Sequence, residues 1–319
     1  MKKSIFFAIA ALALSAQAKQ PQNSGGGITP QMMTEIRGAF KNTPADKAIF
    51  NAISNNDINK LAVNTASKNS FDTHFSHRVP SKGITNQKSS GRCWLFTGLN
   101  VLRAQAMAQH NLPELQFSQN YNFFWDQLEK ANLFLQGIID TAEKPMDDKT
   151  VDWLFEHPLS DGGQFTGIAD IITKYGMVPA EVMLETNSSN STSRMSNLIG
   201  LKLKEWGLQL RDMAAAKAKP ADLQKKKTEM LGEVYRMLAL NLGEPPTEFT
   251  WTRRDAKGYA VDTRTYTPLS FYKEYLGNDL KNNYVMLMND PSREYYRLYE
   301  IDYDRRRKLD IRQPPRRRH

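Results

Sequence analysis

The sequence predicts an α+β chain, helical through most of its length and turning to strands near its end. Three observations carry that expectation. Between Cys93 and Gly243 apolar residues recur at spacings of three and four. The helical runs stop at Gly176 and Gly243, each followed within three residues by a proline. From Tyr284 onward the large side chains alternate instead, as they do along a half-buried strand.

The 319-residue chain opens with Lys2-Lys3, an apolar run from Ile5 to Ala16, and Ala16-Gln17-Ala18. A basic start, about a dozen apolar residues and small residues at minus three and minus one predict a bacterial secretory signal cut after Ala18. The run is too short to anchor in a bilayer and has no polar face to make it an amphipathic helix. The expected location is the periplasm, or the medium beyond it. Residues 19–70 read as a linker, with the flexible stretch Asn23 to Gly27, and an N-terminal helical segment.

Cys93 is the only cysteine. A lone cysteine is ordinarily a small buried hydrophobe, but this one has Gln87 six residues before it, Gly91 two before and Trp94 immediately after. Leu95, Leu99, Leu102 and Ala106 place it in the first turn of a helix ending near Gln109. There the positive end of the helix dipole favours a thiolate. A thiolate attacking a carbonyl creates an oxyanion, which the backbone N–H of Cys93 and the Gln87 amide would receive. Gly91 gives the chain its tight entry into the helix.

The next helix starts at the N-cap Ser118, with Tyr121, Trp125, Leu128, Asn132 and Leu135 on one face, read as core. Ile168, Ile171, Ile172 and Tyr175 form another helix face closed by Gly176. Asn187 to Ser193 is a polar loop whose two glycosylation-like sequons carry little meaning in a periplasm. Met195 to Met213 and Leu231 to Leu238 make a helical hairpin broken at Pro220 and closed near Gly243. Lys225-Lys226-Lys227 on it reads as a solvated face. Strands are expected over Tyr284 to Met288 and Tyr295 to Tyr303, around a turn at Asn289 to Ser292.

The segment Asn86 to Phe96 resembles the papain-like cysteine peptidases, and its Gly-Arg-Cys-Trp-Leu-Phe form resembles the bleomycin hydrolase and bacterial aminopeptidase C branch. Phe117 to Asn132, Asp161-Gly162-Gly163-Gln164 and Lys174 to Pro179 look like the same branch, and the resemblance runs from about Phe71 to about Asp304. Where papain and many relatives carry a disulfide cysteine, three residues before the nucleophile, this chain has Ser90. The resemblance implies a papain-like fold: a helical nucleophile domain over 71–190, a helical insertion over 191–245 and the start of a β-rich domain over 246–304. It implies a cysteine-type peptidase, by family an aminopeptidase, acting on peptides through Cys93 and Gln87. Gly162 and Gly163 would let an extended substrate pair beside the nucleophile. No metal or organic cofactor is implied, and the insertion supports a homo-oligomer, a hexamer in relatives. Exopeptidase restriction in the family depends on a C-terminal arm not found in this sequence.

Net charge is +9, but residues 305–319 alone carry +7 and Lys2 and Lys3 the remainder. A neutral body argues against a nucleic-acid groove, so a polyanion or anionic membrane would have to be met by that tail. The family's general-base histidine and its orienting asparagine lie well downstream of the nucleophile, in the β-rich half. Of the five histidines, His74, His77, His110 and His157 fall in the helical half or its approach, and His319 sits in the basic tail without an orienting partner. His74 and His77 have no cysteine or clustered carboxylate beside them to make a metal site. The tail is accordingly expected to be disordered or a frameshift or assembly artefact beginning near Arg305, with the natural gene encoding a longer protein. The alternative to an active peptidase is then an inactive fragment or pseudoenzyme that binds peptides. The signal reading makes its own prediction: protein recovered from the producing cells begins at Lys19 and lies outside the cytoplasm, whereas an uncleaved cytosolic chain on N-terminal sequencing would contradict it.

Overall fold

A computed structural model describes residues 26–69, 72–79, 81, 83–277, 279–280, 282–284, 289–297 and 299. The targeting segment and the basic tail lie outside the described residues. The chain divides into two compact units between Ser76 and His77.

The first unit holds α1 (Pro30–Ala39), α2 (Pro44–Asn55), α3 (Ile58–Leu61) and a 3₁₀ turn over Thr65–Asn69. Each start is written in the sequence. Thr29 caps α1 by accepting from the Met32 N–H, and Thr43 and Asp46 form a reciprocal capping box on α2. Proline occupies the first turn of both helices, where its missing N–H costs nothing.

The second unit contains α4 (Cys93–Gln109), α5 (Gln119–Asp140), α6 (Lys149–Glu156), α7 (Phe165–Tyr175), α8 (Asn187–Asn190), α9 (Ser193–Ala215), α10 (Pro220–Leu242), the strands β1 (Phe249–Arg254) and β2 (Ala260–Tyr266), and α11 (Pro268–Tyr275). The α+β class holds. The starts expected at Cys93 and Ser118 and the stops at Gly176 and Gly243 all occur, and Pro220 opens α10 in its first turn instead of merely ending the run before it. The expected polar loop at Asn187 to Ser193 contains the one-turn α8, capped by Thr186 and Ser189.

α5 is the axis of the unit and packs against α4, α6, α7, α9 and α10. Its burial corrects the one-faced reading. Trp125, Leu128 and Asn132, placed on the core face by their spacing, are only half-buried, whereas Asn120, Asn122, Asp126, Gln127 and Lys130 are buried. A helix enclosed on several sides loses its amphipathic signal, and its polar residues are retained for the backbone groups they reach. Asn120 donates to the carbonyls of Leu184 and Leu242, each at 2.7 Å, and Asn122 to that of Gly176 at 3.0 Å.

β1 and β2 form an antiparallel hairpin in which Phe249 pairs with Tyr266. Phe249, Trp251 and Tyr266 turn inward onto Phe271 of α11, with ring centroids 5.3–5.6 Å apart. These strands lie within the region expected to begin the β-rich part, but upstream of the alternation that suggested it. Residues 285–288 and 300–303 of the expected strands lie outside the described residues. Tyr295 and Tyr296 are in a turn and Tyr299 is in no strand. Here the segment bonds to itself: Asp290 accepts from the Ser292 N–H at 2.9 Å, and the Tyr299 hydroxyl donates to the Glu294 carbonyl at 3.1 Å. Alternation alone makes no strand without a partner to pair with. The lysine run is also corrected in part, since Lys227 is half-buried and donates to Gln136 at 2.8 Å.

Two glycines make opposite stability predictions. Gly176 ends α7 with φ of +77°, and a Cβ there would lie 2.2 Å from the Pro268 backbone. Gly176→Ala should therefore cost about 3 kcal/mol or more, as left-handed strain and overpacking add. Gly232, exposed inside α10 with nothing near its missing Cβ, should gain roughly 0.5–1 kcal/mol as Ala. Urea unfolding of the two variants measures both, and equal midpoints would contradict the assignment.

Candidate active site

Cys93 is the first residue of α4 and its thiol is exposed. No side chain caps this helix: the preceding Arg92 carries donors only, and its guanidinium is wholly buried. The helix therefore presents its uncapped first-turn N–H groups and positive dipole end where the sulfur sits. The residues that follow, Trp94, Leu95 and Phe96, are buried and hold that end in place.

Two loops meet at this helix start. The first, 87–92, carries the half-buried Gln87, whose Nε2 donates to the Ser90 carbonyl. A carboxamide has two N–H groups, so one remains for another acceptor. The Ser89 N–H also bonds the Asn190 carbonyl at 3.0 Å, tying the loop to α8. The second loop, 160–163, carries Gly162 and Gly163, both exposed. The Trp94 indole N–H donates to the Asp161 carbonyl at 2.8 Å, which brings the glycines beside the residue after Cys93.

The reasons for the glycines differ from position to position. A Cβ on Gly163 would lie 2.7 Å from the Trp94 ring, and one on Gly91 would lie 2.8 Å from the Asp161 carboxylate. Both are packing requirements. At Gly162 an added Cβ would meet only the Ser160 hydroxyl, at 3.6 Å.

Three polar groups that sequence reasoning missed bind these loops together. Asp161 accepts from the Gly91 N–H at 2.7 Å and from the Thr192 hydroxyl at 2.5 Å. Lys130, buried in α5, pairs with Asp126 at 2.6 Å and donates to the carbonyls of Ser160 and Gly162 at 2.7 and 2.6 Å. Its ammonium also stands 5.4 Å from the Trp94 ring centre. Arg92 makes a bidentate pair with Glu185 at 3.1 and 2.8 Å. The i,i+4 spacing of Asp126 and Lys130 was a readable signal for one pair; nothing local announced that Arg92 would be buried.

Two of the histidines are helix C-caps. His110 is the C-cap of α4, about 25 Å along that helix from Cys93 at 1.5 Å per residue. His157 follows α6 beside Trp153 and Glu156, and His74 and His77 are exposed. Among the described residues no cluster of three metal-ligating side chains occurs. His319 lies outside them. A cavity of about 930 Å³ opens at the other part of α4, lined by Arg103, Met107, Leu115, Leu184, Trp251 and Arg254 among others. None of Gln87, Cys93, Gly162 and Gly163 lines it, so it is separate from the site.

The Asp161 carboxyl titrates below its ordinary value of 3.8. Burial acts to raise it, but the hydrogen bonds from Thr192 and the Gly91 N–H, with the nearby Lys130 charge, outweigh that. A depressed folded-state value stabilises the fold above the unfolded value, and that stability is lost as pH falls toward and through the folded one. Acid titration of stability should therefore show a loss below about pH 4 that Asp161→Asn removes; identical acid limbs for the two proteins would contradict the clamp.

The peptidase C1-like family profile matches residues 27–307. Aminopeptidase G of Lactobacillus delbrueckii subsp. lactis is 38% identical over 275 residues, covering 86% of this chain and 62% of that protein. Bleomycin hydrolase of Rattus norvegicus is 33% identical over 288 residues, covering 88% of this chain and 63% of that one. The crystal structure of PepW from Lactobacillus rhamnosis superposes with a TM-score of 0.74 at 39% identity, covering 81% of this chain and 58% of PepW. The chain thus spans about three fifths of the length of these relatives, and the expected papain-like α+β fold stands. On the profile match and on identity carried across most of its length, the chain belongs to the peptidase C1-like family.

Proposed function

We propose that the chain is built to act as a cysteine-type peptidase, an aminopeptidase by the names of its relatives, with Cys93 as nucleophile. The observation that supports this most is the exposed thiol in the uncapped first turn of α4, where the Gln87 loop and the glycine loop converge. In this reading the sulfur attacks the substrate carbonyl carbon and the π pair moves onto oxygen. The Cys93 N–H and the free N–H of Gln87 receive that charge, and loss of the amine gives a thioester that water then hydrolyses. An extended substrate would pair along Gly162, whose missing side chain is explained by no neighbour in the fold. The secretory pattern supports action outside the cytoplasm.

A second reading, peptide capture without turnover, is favoured by one observation. Thiol attack needs an acceptor for the proton, and the histidine on the nucleophile's own helix, His110, ends it about 25 Å from Cys93 at 1.5 Å per residue. Turnover of an aminoacyl substrate by the purified 319-residue chain, abolished by Cys93→Ser, decides for the enzyme. Independently of turnover, a peptide-bearing thiol electrophile should label Cys93 faster than it labels an unfolded peptide of the same local sequence. Gln87→Ala should reduce that advantage by about a hundredfold, the usual worth of one oxyanion donor. Equal labelling of folded chain and control peptide would mean that the site is not preorganised for acyl transfer.

A further inference from the structure

Arg92 is fully buried next to the candidate nucleophile, and a buried guanidinium costs several kcal/mol of desolvation unless its donors are used. They are used, and in one direction. Its Nη atoms grip Glu185 in a bidentate pair, and Glu185 is itself fixed by the Ser189 hydroxyl at 2.6 Å. Its Nε donates to the Ser90 hydroxyl at 3.0 Å, and that hydroxyl donates to the Gln87 carbonyl at 2.6 Å. The Gln87 side chain returns the contact by donating to the Ser90 carbonyl. The rings of Phe96 and Phe123, 4.9 and 5.2 Å from the guanidinium carbon, restrict its plane from the sides.

The chain of bonds therefore runs from Glu185 through Arg92 and Ser90 to both ends of Gln87. We propose that Arg92, held by Glu185, is a positioning residue that sets the Gln87 carboxamide for the oxyanion, with the Ser90 hydroxyl as the relay. This inference rests on the peptidase reading of Cys93 and Gln87. A guanidinium suits the task because its Nε and Nη donors lie in one rigid plane. The place of the Glu185 carboxylate thus dictates the place of the Ser90 oxygen, which a flexible ammonium could not do. Ser90 stands where many papain-like relatives have a disulfide cysteine, so here a polar relay braces the loop in place of a covalent bond.

The test uses a reversible peptide aldehyde on the full chain at a pH of about 8.5, where a free thiol is half ionised. The Cys93 thiolate adds to the aldehyde carbon and the carbonyl π pair goes to oxygen, so the thiohemiacetal oxygen takes up the charge that the oxyanion donors receive. Affinity for the aldehyde reads the oxyanion donors; alkylation by iodoacetamide, a displacement at carbon that develops no oxyanion, reads only the thiolate. Gln87→Ala should weaken aldehyde binding about a hundredfold. Ser90→Ala, and the pair Arg92→Met with Glu185→Leu, which removes both buried charges together, should each weaken it at least tenfold and leave alkylation within twofold.

Adding either change to Gln87→Ala should cause no further loss, because both act through the same amide. Unchanged aldehyde affinity in folded Ser90→Ala, or losses that multiply with that of Gln87→Ala, would overturn the positioning role while leaving the oxyanion role intact. If Gln87→Ala itself binds the aldehyde like the parent chain, the oxyanion role fails and the inference falls with it. Should the double change not fold, Ser90→Ala carries the decision alone.

Discussion

The Asp161 carboxylate accepts from the backbone N–H of Gly91 and from the Thr192 hydroxyl, while the carbonyl of the same residue receives the Trp94 indole N–H. Through these contacts one residue joins the entry to α4, the glycine loop and the chain entering α9. Each partner is distant in sequence, so no local propensity could hold the three together. Remove the carboxylate and the Gly91 N–H loses its acceptor at the point where the chain turns into the helix bearing Cys93. The absent side chain of Gly91 is part of the same contact, because a Cβ there would occupy the carboxylate's position.

Around this clamp the protein buries charge with close accounting of donors. Lys130 uses its ammonium on Asp126 and on two carbonyls of the glycine loop, and Arg92 uses its guanidinium on Glu185 and Ser90. Buried pairs of this kind are poor sources of net stability, since hydrophobic residues of equal volume would serve the fold as well or better. Their return is geometric: each fixes a loop carbonyl or hydroxyl that an apolar side chain could not address. That both pairs point at the loops flanking Cys93, and not at the distal part of α4 where the large cavity opens, ties the expense to the site.

The helices were legible because their signals are local. Ser118, Gly176 and Gly243 act on the turn they sit in, and the spacing of Leu95, Leu99, Leu102 and Ala106 needs only a helix and a neighbour. α5 was read only in part for the converse reason: Trp125, Leu128, Asn132 and Gln136 form its one half-buried face, and five other helices enclose the rest, polar residues included. The β1–β2 hairpin escaped notice because its inward residues Phe249, Trp251 and Tyr266 take their places from packing on Phe271 of a later helix.

By itself the sequence determined that a single thiol begins a helix, with Gln87, Gly91 and Trp94 at fixed offsets, since offsets within one loop and one turn are set by bond geometry alone. It also determined the order of helices that follow, because caps and breakers work over a few residues. Which glycine faces open space and which only fits a neighbour was decided by the fold, through the Trp94 ring against Gly163 and its absence at Gly162. The fold likewise decided that Arg92 turns inward to Glu185 and that Asp161 receives the Gly91 N–H. Those contacts span 93 and 70 residues, and only the packing around α5 brings such distant partners within hydrogen-bond reach.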